Sequence, residues 1–321
     1  MNKECEVKQG NRFQGVFKKY GIFIILAALV IVLSLLDSSF MTPENLKNVL
    51  RQCSVYAILA FGMTFVVIAG GIDLSVGALV ALSSSIVALF IVKAGMNMWV
   101  AVVLTVLIAG GFGFANGFFI AKLKVPFFIA TSGMMYIARG LALVLTNESP
   151  VSGLPAEFSI FGGMPEWVIP PQVIIMIGVF IVCFILLNHT RMGRYTFAIG
   201  SSEKAAKQSG VNVNKYKMYI FMISGITAGI SGVIMASRLK TGSPIIGDGY
   251  ELDAIAAVAI GGTSMSGGSG SIVRSWVGAL VLTVIRVGLN ILGVSTSLQQ
   301  IIIGAVIIGV VAIDMVKTKQ S

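Results

Sequence analysis

Residues 53–92 read CSVYAILAFGMTFVVIAGGIDLSVGALVALSSSIVALFIV. Two apolar runs, 53–70 and 75–92, flank one charged residue, Asp73. A helix needs roughly 20 apolar residues to cross the hydrocarbon core of a bilayer, and each run has about that length. The stretch therefore predicts two membrane-spanning helices joined by a short turn, and with them an all-α integral membrane protein.

The rest of the chain repeats this pattern. Of its 321 residues, 56% are hydrophobic and 11% are charged, whereas about one quarter of a soluble domain is charged. The apolar runs predict about ten spans, near 20–36, 53–70, 75–92, 98–120, 126–145, 168–187, 217–236, 252–266, 273–291 and 298–316. The run near 252–266 is short and rich in glycine, so a broken or re-entrant segment is expected there. One transmembrane domain, 20–316, leaves a basic N-terminus, 1–19, and a tail, 317–321.

The net charge of +10 is concentrated in alternate loops. Basic residues gather before the first run, in the loop 188–216 and at the C-terminus, whereas 146–167 carries acidic residues and no basic one. This is the positive-inside distribution of a multi-pass membrane protein. It predicts cytoplasmic termini and a cytoplasmic 188–216 loop. It disfavours nucleic-acid binding, because the basic clusters interrupt apolar runs and do not form a surface domain.

Few residues are available for catalysis or metal binding. Cys5, Cys53 and Cys183 lack metal-ligand spacing, and His189 is the only histidine. Residues 262–269 have phosphate-loop glycine spacing, but Gly268 stands where the loop requires lysine. The sequence predicts no catalytic residue, no metal site and no cofactor or ATP bound by this chain.

Two polar, glycine-rich stretches are candidates for a translocation pathway or gate. The first, 70–77, contains Asp73 and Ser75; a carboxylate at membrane depth suggests function, but Asp73 could equally cap the next helix within a tight turn. The second is 249–270. Together with an asparagine inside a span, the candidates are Asp73, Ser75, Asn116, Glu251, Asp253, Thr263 and Ser264. Asp73 and Asp253 are both expected near the membrane faces.

Weaker patterns give further expectations. A weak two-half repeat is suggested by two aspartates, Asp73 and Asp253, because each is followed by a Gly-Gly pair that opens another span. The two pairs are 110–111 and 267–268. Thr42-Pro43 predicts a helix start, with either a short interfacial helix or an ordinary linker after it. Glycine pairs at 113/117 and 225/229 favour close helix packing. Arg139 and Arg286 are expected to extend their charges toward the interface.

The central loop contains a short predicted helix. Residues 203–209 are good helix formers, and Gly210 follows as a stop. A small, basic helix of this kind fits a groove of another subunit, although a solvated helix that only follows the positive-inside rule is an equal alternative. The candidate docking residues are Arg191, Gly193, Arg194, Glu203, Lys204, Ala205, Ala206 and Gly210.

Four stretches resemble the ribose-type monosaccharide permeases of bacterial ABC importers, from about residue 40 to the C-terminus. They are 71–77 (GIDLSVG), 250–264 (YELDAIAAVAIGGTS), 191–195 (RMGRY) and 209–215 (SGVNVNK). The resemblance implies a permease of the bacterial inner membrane that pairs with a second permease copy. It also implies cytoplasmic ATP-binding subunits carrying ATP and magnesium, an external sugar-binding protein, and ribose as substrate.

The resemblance also implies that the central loop is the coupling helix. Importer permeases often carry Glu-Ala-Ala-x-x-x-Gly there; this chain keeps Ala205, Ala206 and Gly210, but Lys204 occupies the glutamate's place and Glu203 precedes it. Two other interpretations stay open. An ABC permease for another sugar, a nucleoside or a furanose signal is one. An ion-coupled secondary transporter is the other, and it calls for more buried ionisable groups. A membrane enzyme is disfavoured, since one histidine leaves little to build with.

Overall fold

The computed structural model describes residues 21–163 and 169–319. The predicted basic N-terminus, 1–19, lies outside the described residues, as do Glu166 of the acidic loop and the last two residues of the tail. Within the described part the chain is almost entirely helical. One two-residue antiparallel ladder pairs strand β1 (Val151–Ser152) with strand β2 (Thr241–Gly242).

The helices follow the apolar runs closely. In chain order they are α1 (Gly21–Leu36), α2 (Pro43–Ile68), α3 (Val76–Ala88), α4 (Met98–Ala121), α5 (Phe127–Thr146), α6 (Pro171–His189), α7 (Arg191–Ser201), α8 (Glu203–Gln208), α9 (Val213–Leu239), α10 (Tyr250–Ile260), α11 (Ile272–Ile291) and α12 (Thr296–Lys319). A π-helical turn, Leu89–Lys93, extends α3, and 3-10 turns cover Ser38–Met41 and Ala156–Phe161.

Seven helices of the described chain are long and apolar enough to cross a membrane: α2, α3 with its π turn, α4, α5, α6, α9 and α11. Two shorter apolar helices, Gly21–Leu36 and Thr296–Gly309, coincide with predicted spans. The all-α membrane fold is therefore confirmed, whereas the count of ten is not. The remaining predicted span, 252–266, contains only the 11-residue helix α10.

Helix α2 is the centre of the bundle. Its residues from Cys53 to Ile68 are buried almost without interruption, and α6, α9, α10 and α11 pack around it. Helices α4 and α9 pack closely because glycines line their contact. A Cβ on Gly113 would collide with the carbonyl of Phe221, and one on Gly225 with the carbonyl of Ala109. The predicted packing role of these glycines is confirmed.

After α9 the chain returns from one end of the bundle to the other without forming a continuous helix. Strand β2 lies beside the outer part of α3, where the amide of Ser243 donates to the hydroxyl of Ser84 at 3.2 Å. The chain then runs along α3 to Gly247, which touches Gly77. Helix α10 follows, and at the far side the amide of Gly268 donates to the carbonyl of Ile68, the last residue of α2, at 2.8 Å. The glycine-rich segment is thus a short helix flanked by turns, as expected of a broken element.

Two of the weaker expectations are wrong. Thr42 does cap a helix with Pro43 in its first turn, but that helix continues for 26 residues to Ile68, so no separate interfacial helix exists. Gly110 and Gly111 lie inside α4, whereas Gly267 and Gly268 lie in a turn before α11. The two Gly-Gly pairs therefore do not open equivalent spans.

Candidate translocation and coupling sites

The carboxylate of Asp73 is the centre of a buried polar cluster. Oδ1 accepts the amide of Ser75 at 3.0 Å and its hydroxyl at 2.6 Å, and Oδ2 accepts the hydroxyl of Ser224 at 2.8 Å. Nδ2 of Asn116 donates to the Ser75 hydroxyl at 2.9 Å. All four side chains are fully buried. The cluster ties the turn before α3 to α4 and α9.

This geometry confirms that Asp73 caps the turn, as one of the two interpretations predicted. The depth of Asp73 stays a prediction. Its partner Ser224 is in the middle part of α9, but Asn116 is five residues from the end of α4. Asp73, Ser75 and Asn116 face one another inside the subunit, and their role in a translocation pathway also stays a prediction. Ser224 was missed because a serine inside an apolar run carries no signal of its own.

Asp253 and Arg286 form a second buried polar group. The Arg286 guanidinium pairs with the Asp253 carboxylate and lies over the ring of Tyr56, 5.5 Å from its centroid. Tyr56 also packs edge-on against Tyr250 at 5.2 Å. The depth of Asp253 stays a prediction, because Tyr56 is only the fourth residue of the apolar run 53–70. Arg286 does not extend its charge toward the interface as was expected, since it pairs with Asp253 within the bundle.

Glu251 is half-buried beside the start of α3. Its carboxylate accepts backbone amides at the start of α10, from Gly249 and from Glu251 itself. The carboxylate also fills the space where a Cβ of Gly77 would be, so Gly77 is what allows α10 to approach α3. Glu251 therefore lies one helix away from the Asp73 cluster and does not join it.

Thr263 and Ser264 lie apart from the other pathway candidates. Both are in the glycine-rich turn after α10, where the Thr263 hydroxyl is buried without a hydrogen-bond partner among the described residues. Gly267 and Gly268 of the same turn contact Gly200 and Ser201 at the end of α7. The turn thus connects α10 and α11 to the helices of the central loop.

The predicted docking residues form a largely exposed surface at that end of the bundle. The central loop is two helices, α7 and α8, of which only α8 was predicted. Six of the eight docking candidates are exposed: Arg191, Arg194, Glu203, Lys204, Ala205 and Gly210. Gly193 and Ala206 are buried, and the carbonyl of Leu187 leaves no room for a side chain at Gly193. The predicted stop is confirmed, since Gly210 has φ +83° directly after α8.

An ion pair attaches α8 to the transmembrane helices. Nζ of Lys217, a residue only 6% exposed on α9, donates to Oε2 of Glu203 at 2.6 Å. The same ammonium lies 5.3 Å from the ring centroid of Phe127 at the start of α5, and that ring packs against Gly71. The hydrogen bond from Lys217 holds the pKa of Glu203 below its ordinary value. Glu203 is therefore engaged inside the chain, through a lysine that the sequence did not single out.

A groove of about 380 Å³ opens beside this ion pair. It lies between the end of α8, the start of α9 and Lys124 before α5, and its floor includes Glu203, Lys207 and Gly210. Its charged lining residues are two lysines and one glutamate. Among the described residues, no three histidine, cysteine, aspartate or glutamate side chains converge as metal ligands would.

Comparison with known proteins gives a consistent result. Residues 45–311 match the family described as branched-chain amino acid transport system / permease component. The ribose import permease protein of Bacillus subtilis is 44% identical over 95% of both chains. That of Escherichia coli K12 is 44% identical over 91% of this chain and 92% of its own. The D-allose transport system permease protein of the same strain is 36% identical over 99% of this chain and 98% of its own. No solved structure matches this chain with comparable significance.

Proposed function

The chain belongs to the family of transport-system permease components, and on that premise we propose that it forms the membrane pathway of an ATP-driven importer for ribose. It is a multi-pass membrane protein and a transport subunit, not an enzyme. The observation that carries the proposal is the exposed surface of α7 and α8, which the Glu203–Lys217 ion pair fastens to the transmembrane helices. A polar helix pair attached in this way can pass a movement of a partner subunit on to the bundle.

The α7–α8 surface is the proposed docking site for the ATP-binding subunit. Its small and basic residues, Lys204 and Ala205 among them, are exposed on α8, while Ala206 anchors the helix. This assigns α7 and α8 to the cytoplasmic side, together with both termini. The helices are held to the bundle by the Glu203–Lys217 ion pair and by Gly200 against Ile68, so a movement of α8 is transmitted to α9, α5 and α2.

The cofactors and the other partners follow from the same proposal. ATP and magnesium bind to the partner subunit, whose closure supplies the energy. A second permease copy completes the pathway, and an extracytoplasmic binding protein delivers the sugar. In this arrangement the two copies rock around the pathway between outward and inward openings. Directionality comes from ATP hydrolysis and not from residues of this chain.

Ribose is the proposed substrate because two ribose permeases are 44% identical to this chain over more than nine tenths of its length. The allose permease, at 36%, keeps another monosaccharide as the alternative. A secondary transporter driven by ions is the less favoured proposal. Asp73 and Asp253 are buried, and both are engaged within the subunit, the first by three donors and the second by Arg286.

Cysteine cross-linking tests the docking site. Lys204→Cys on α8 is expected to cross-link to the ATP-binding subunit in the assembled complex, and Glu157→Cys at the opposite end is the matched exposed control. The native Cys53 and Cys183 are buried and give little background; Cys5 is replaced by serine. Cross-linking at residue 157 but not at 204 would contradict the assignment.

A further inference from the structure

The segment 244–251 lies at mid-membrane depth, although residues 244–249 form turns and only the last two residues are helical. Nη1 of Arg139, near the middle of α5, donates to the carbonyls of Pro244 and Ile246, both at 2.8 Å. Tyr250 packs on Tyr56, in the middle of α2. Two neighbouring helices thus place the same segment at the same depth. The prediction that Arg139 extends toward the interface is wrong, because its guanidinium is bound by the backbone carbonyls of Pro244 and Ile246 inside the bundle.

This segment presents polar groups outward at that depth. Asp248 is exposed, and Ile245 is 69% exposed. Tyr136, one turn before Arg139 on α5, is 74% exposed. Asp248 and Glu251 are the carboxylates close enough to interact with the Arg139 guanidinium. We call Tyr136, Arg139, Ile245, Asp248 and Glu251 the median wall.

A lipid-facing position for the median wall is costly. Ionisable side chains at membrane depth face the bundle interior or a water-filled cavity, because a charge at the centre of a bilayer costs several kcal/mol. Non-helical backbone at this depth is likewise tolerated only where it is buried in protein or lines a water-filled cavity. Asp248 is exposed within the described chain. A water-filled pathway in the assembled transporter is an environment that fits this face.

The chemistry of the median wall suits a neutral monosaccharide. A carboxylate accepts hydrogen bonds from sugar hydroxyls, and charged acceptors make the stronger ones. A tyrosine offers a flat apolar ring together with a hydroxyl. The Arg139 charge offsets those of Asp248 and Glu251, so the face is polar without being strongly anionic.

We propose that the median wall lines the translocation pathway and makes transient contact with the passing sugar. Asp248 accepts hydrogen bonds from the sugar hydroxyls, and Tyr136 packs on the sugar ring. Arg139 is a positioning residue: it binds the carbonyls of Pro244 and Ile246 and so fixes the position of Asp248. The inference rests on the proposed function and adds to it the part of the chain that contacts the substrate. Broken helices in transporters use exposed backbone and helix ends in the same way.

Thiol labelling tests the placement without depending on transport. In a chain with Cys5 replaced by serine, Ile245→Cys is expected to react with a small charged thiol reagent in the complex in lipid vesicles during ATP turnover. Ile181→Cys is the control, since it is an exposed apolar position in the middle of α6. An unlabelled residue 245, or a spontaneous disulfide between two copies through it, would overturn the proposal. The second outcome would make this face a contact between copies.

Transport assays test the contact with the sugar. Asp248→Ala and Tyr136→Ala are each expected to lower ribose uptake at least about fivefold, the loss expected when a hydrogen bond to a charged group or a ring contact is removed. ATP hydrolysis stimulated by the binding protein should stay near wild type, and Tyr136→Phe should retain most uptake. Glu157→Ala is the carboxylate control.

Unchanged uptake in both alanine variants would overturn the proposed contact. An equal fall in uptake and ATP hydrolysis would do so as well, because it would indicate a coupling or folding defect. If the unmodified complex shows no ATP-dependent uptake, the proposed function fails instead, and the labelling result still reports whether the median wall faces water.

Discussion

At the scale of single residues, Asp73 is the most heavily engaged carboxylate of the described chain. Its two oxygens accept three hydrogen bonds from Ser75 and Ser224, and Asn116 extends the network to α4. A buried carboxylate is tolerated because it is fully hydrogen-bonded. Its role in the resting subunit is therefore to fix the turn between α2 and α3 against α4 and α9. Whether it also contributes to gating stays a prediction.

Replacing Asp73 by alanine should destabilise the subunit markedly. Three donors lose their acceptor inside the protein, and each buried group left unpaired costs about 1–3 kcal/mol. Thermal unfolding in detergent measures the change, with Glu157→Ala as an exposed control. Asp73→Asn should be milder, because an amide oxygen still accepts one or two of these bonds. An alanine variant as stable as the control would contradict the capping role.

The Glu203–Lys217 pair should make the attachment of α8 depend on pH. The pKa of Glu203 is lower in the folded chain, because Lys217 hydrogen-bonds the ionised carboxylate. The stabilisation is therefore complete above the ordinary pKa of glutamate and is lost as the pH falls through the lowered folded value. Hydrogen exchange of residues 203–208 should accelerate in that acid range. Glu203→Gln should show the faster exchange already at neutral pH; equal exchange in the variant and the wild type would contradict the anchoring role.

At the scale of elements, the contact between α4 and α9 depends on positions where only glycine fits. Gly113→Leu is expected to abolish folding, since the added side chain meets the backbone of Phe221. Gly111→Leu, on the same helix, is the matched control because nothing lies within 4 Å of its Cβ position. Recovery of monodisperse protein by size-exclusion chromatography compares the two. Equal recovery would contradict the packing role.

Helix α8 and its stop allow a test of coupling. Gly210 has φ +83° and open space around it, so a tryptophan there is strained and also covers the groove beside Lys207. A left-handed conformation costs a non-glycine residue about 1–2 kcal/mol. Gly210→Trp is expected to insert into the membrane normally but to lose ATP-coupled uptake. Preserved coupling in this variant would contradict the assignment of α8.

The sequence pattern predicted those elements whose position depends on neighbouring residues in the chain. The long spans, the Thr42–Pro43 start and the Gly210 stop follow from hydrophobic runs and capping chemistry. Most bounds of the long spans were predicted to within a few residues, but α2 starts ten residues before the predicted span 53–70. The partner of a polar side chain is decided by tertiary packing. Nothing in one sequence indicates that Asp73 meets Ser224, that Glu203 meets Lys217, or that Arg139 holds the carbonyls of 244 and 246.

At the scale of the whole molecule, the broken crossing explains why the span near 252–266 was difficult to predict. Its apolar residues form only the short helix α10, and the path before it is a series of turns that form hydrogen bonds with α3 and α5. The same irregularity brings Asp248 and Glu251 to mid-membrane depth. The median wall and the α7–α8 surface thus lie in different parts of the bundle, and α9 and the Gly267–Gly268 turn connect them.

The central claim is that this chain is the membrane pathway for ribose import driven by ATP hydrolysis. Uptake of labelled ribose is measured in vesicles containing the chain, its ATP-binding subunit and the external binding protein, with and without ATP and with unlabelled allose or ribose as competitor. The account predicts uptake that requires ATP, survives a protonophore and is blocked best by ribose. Stronger competition by allose would replace the substrate and keep the architecture. Uptake that ignores ATP and collapses with the proton gradient would contradict the account.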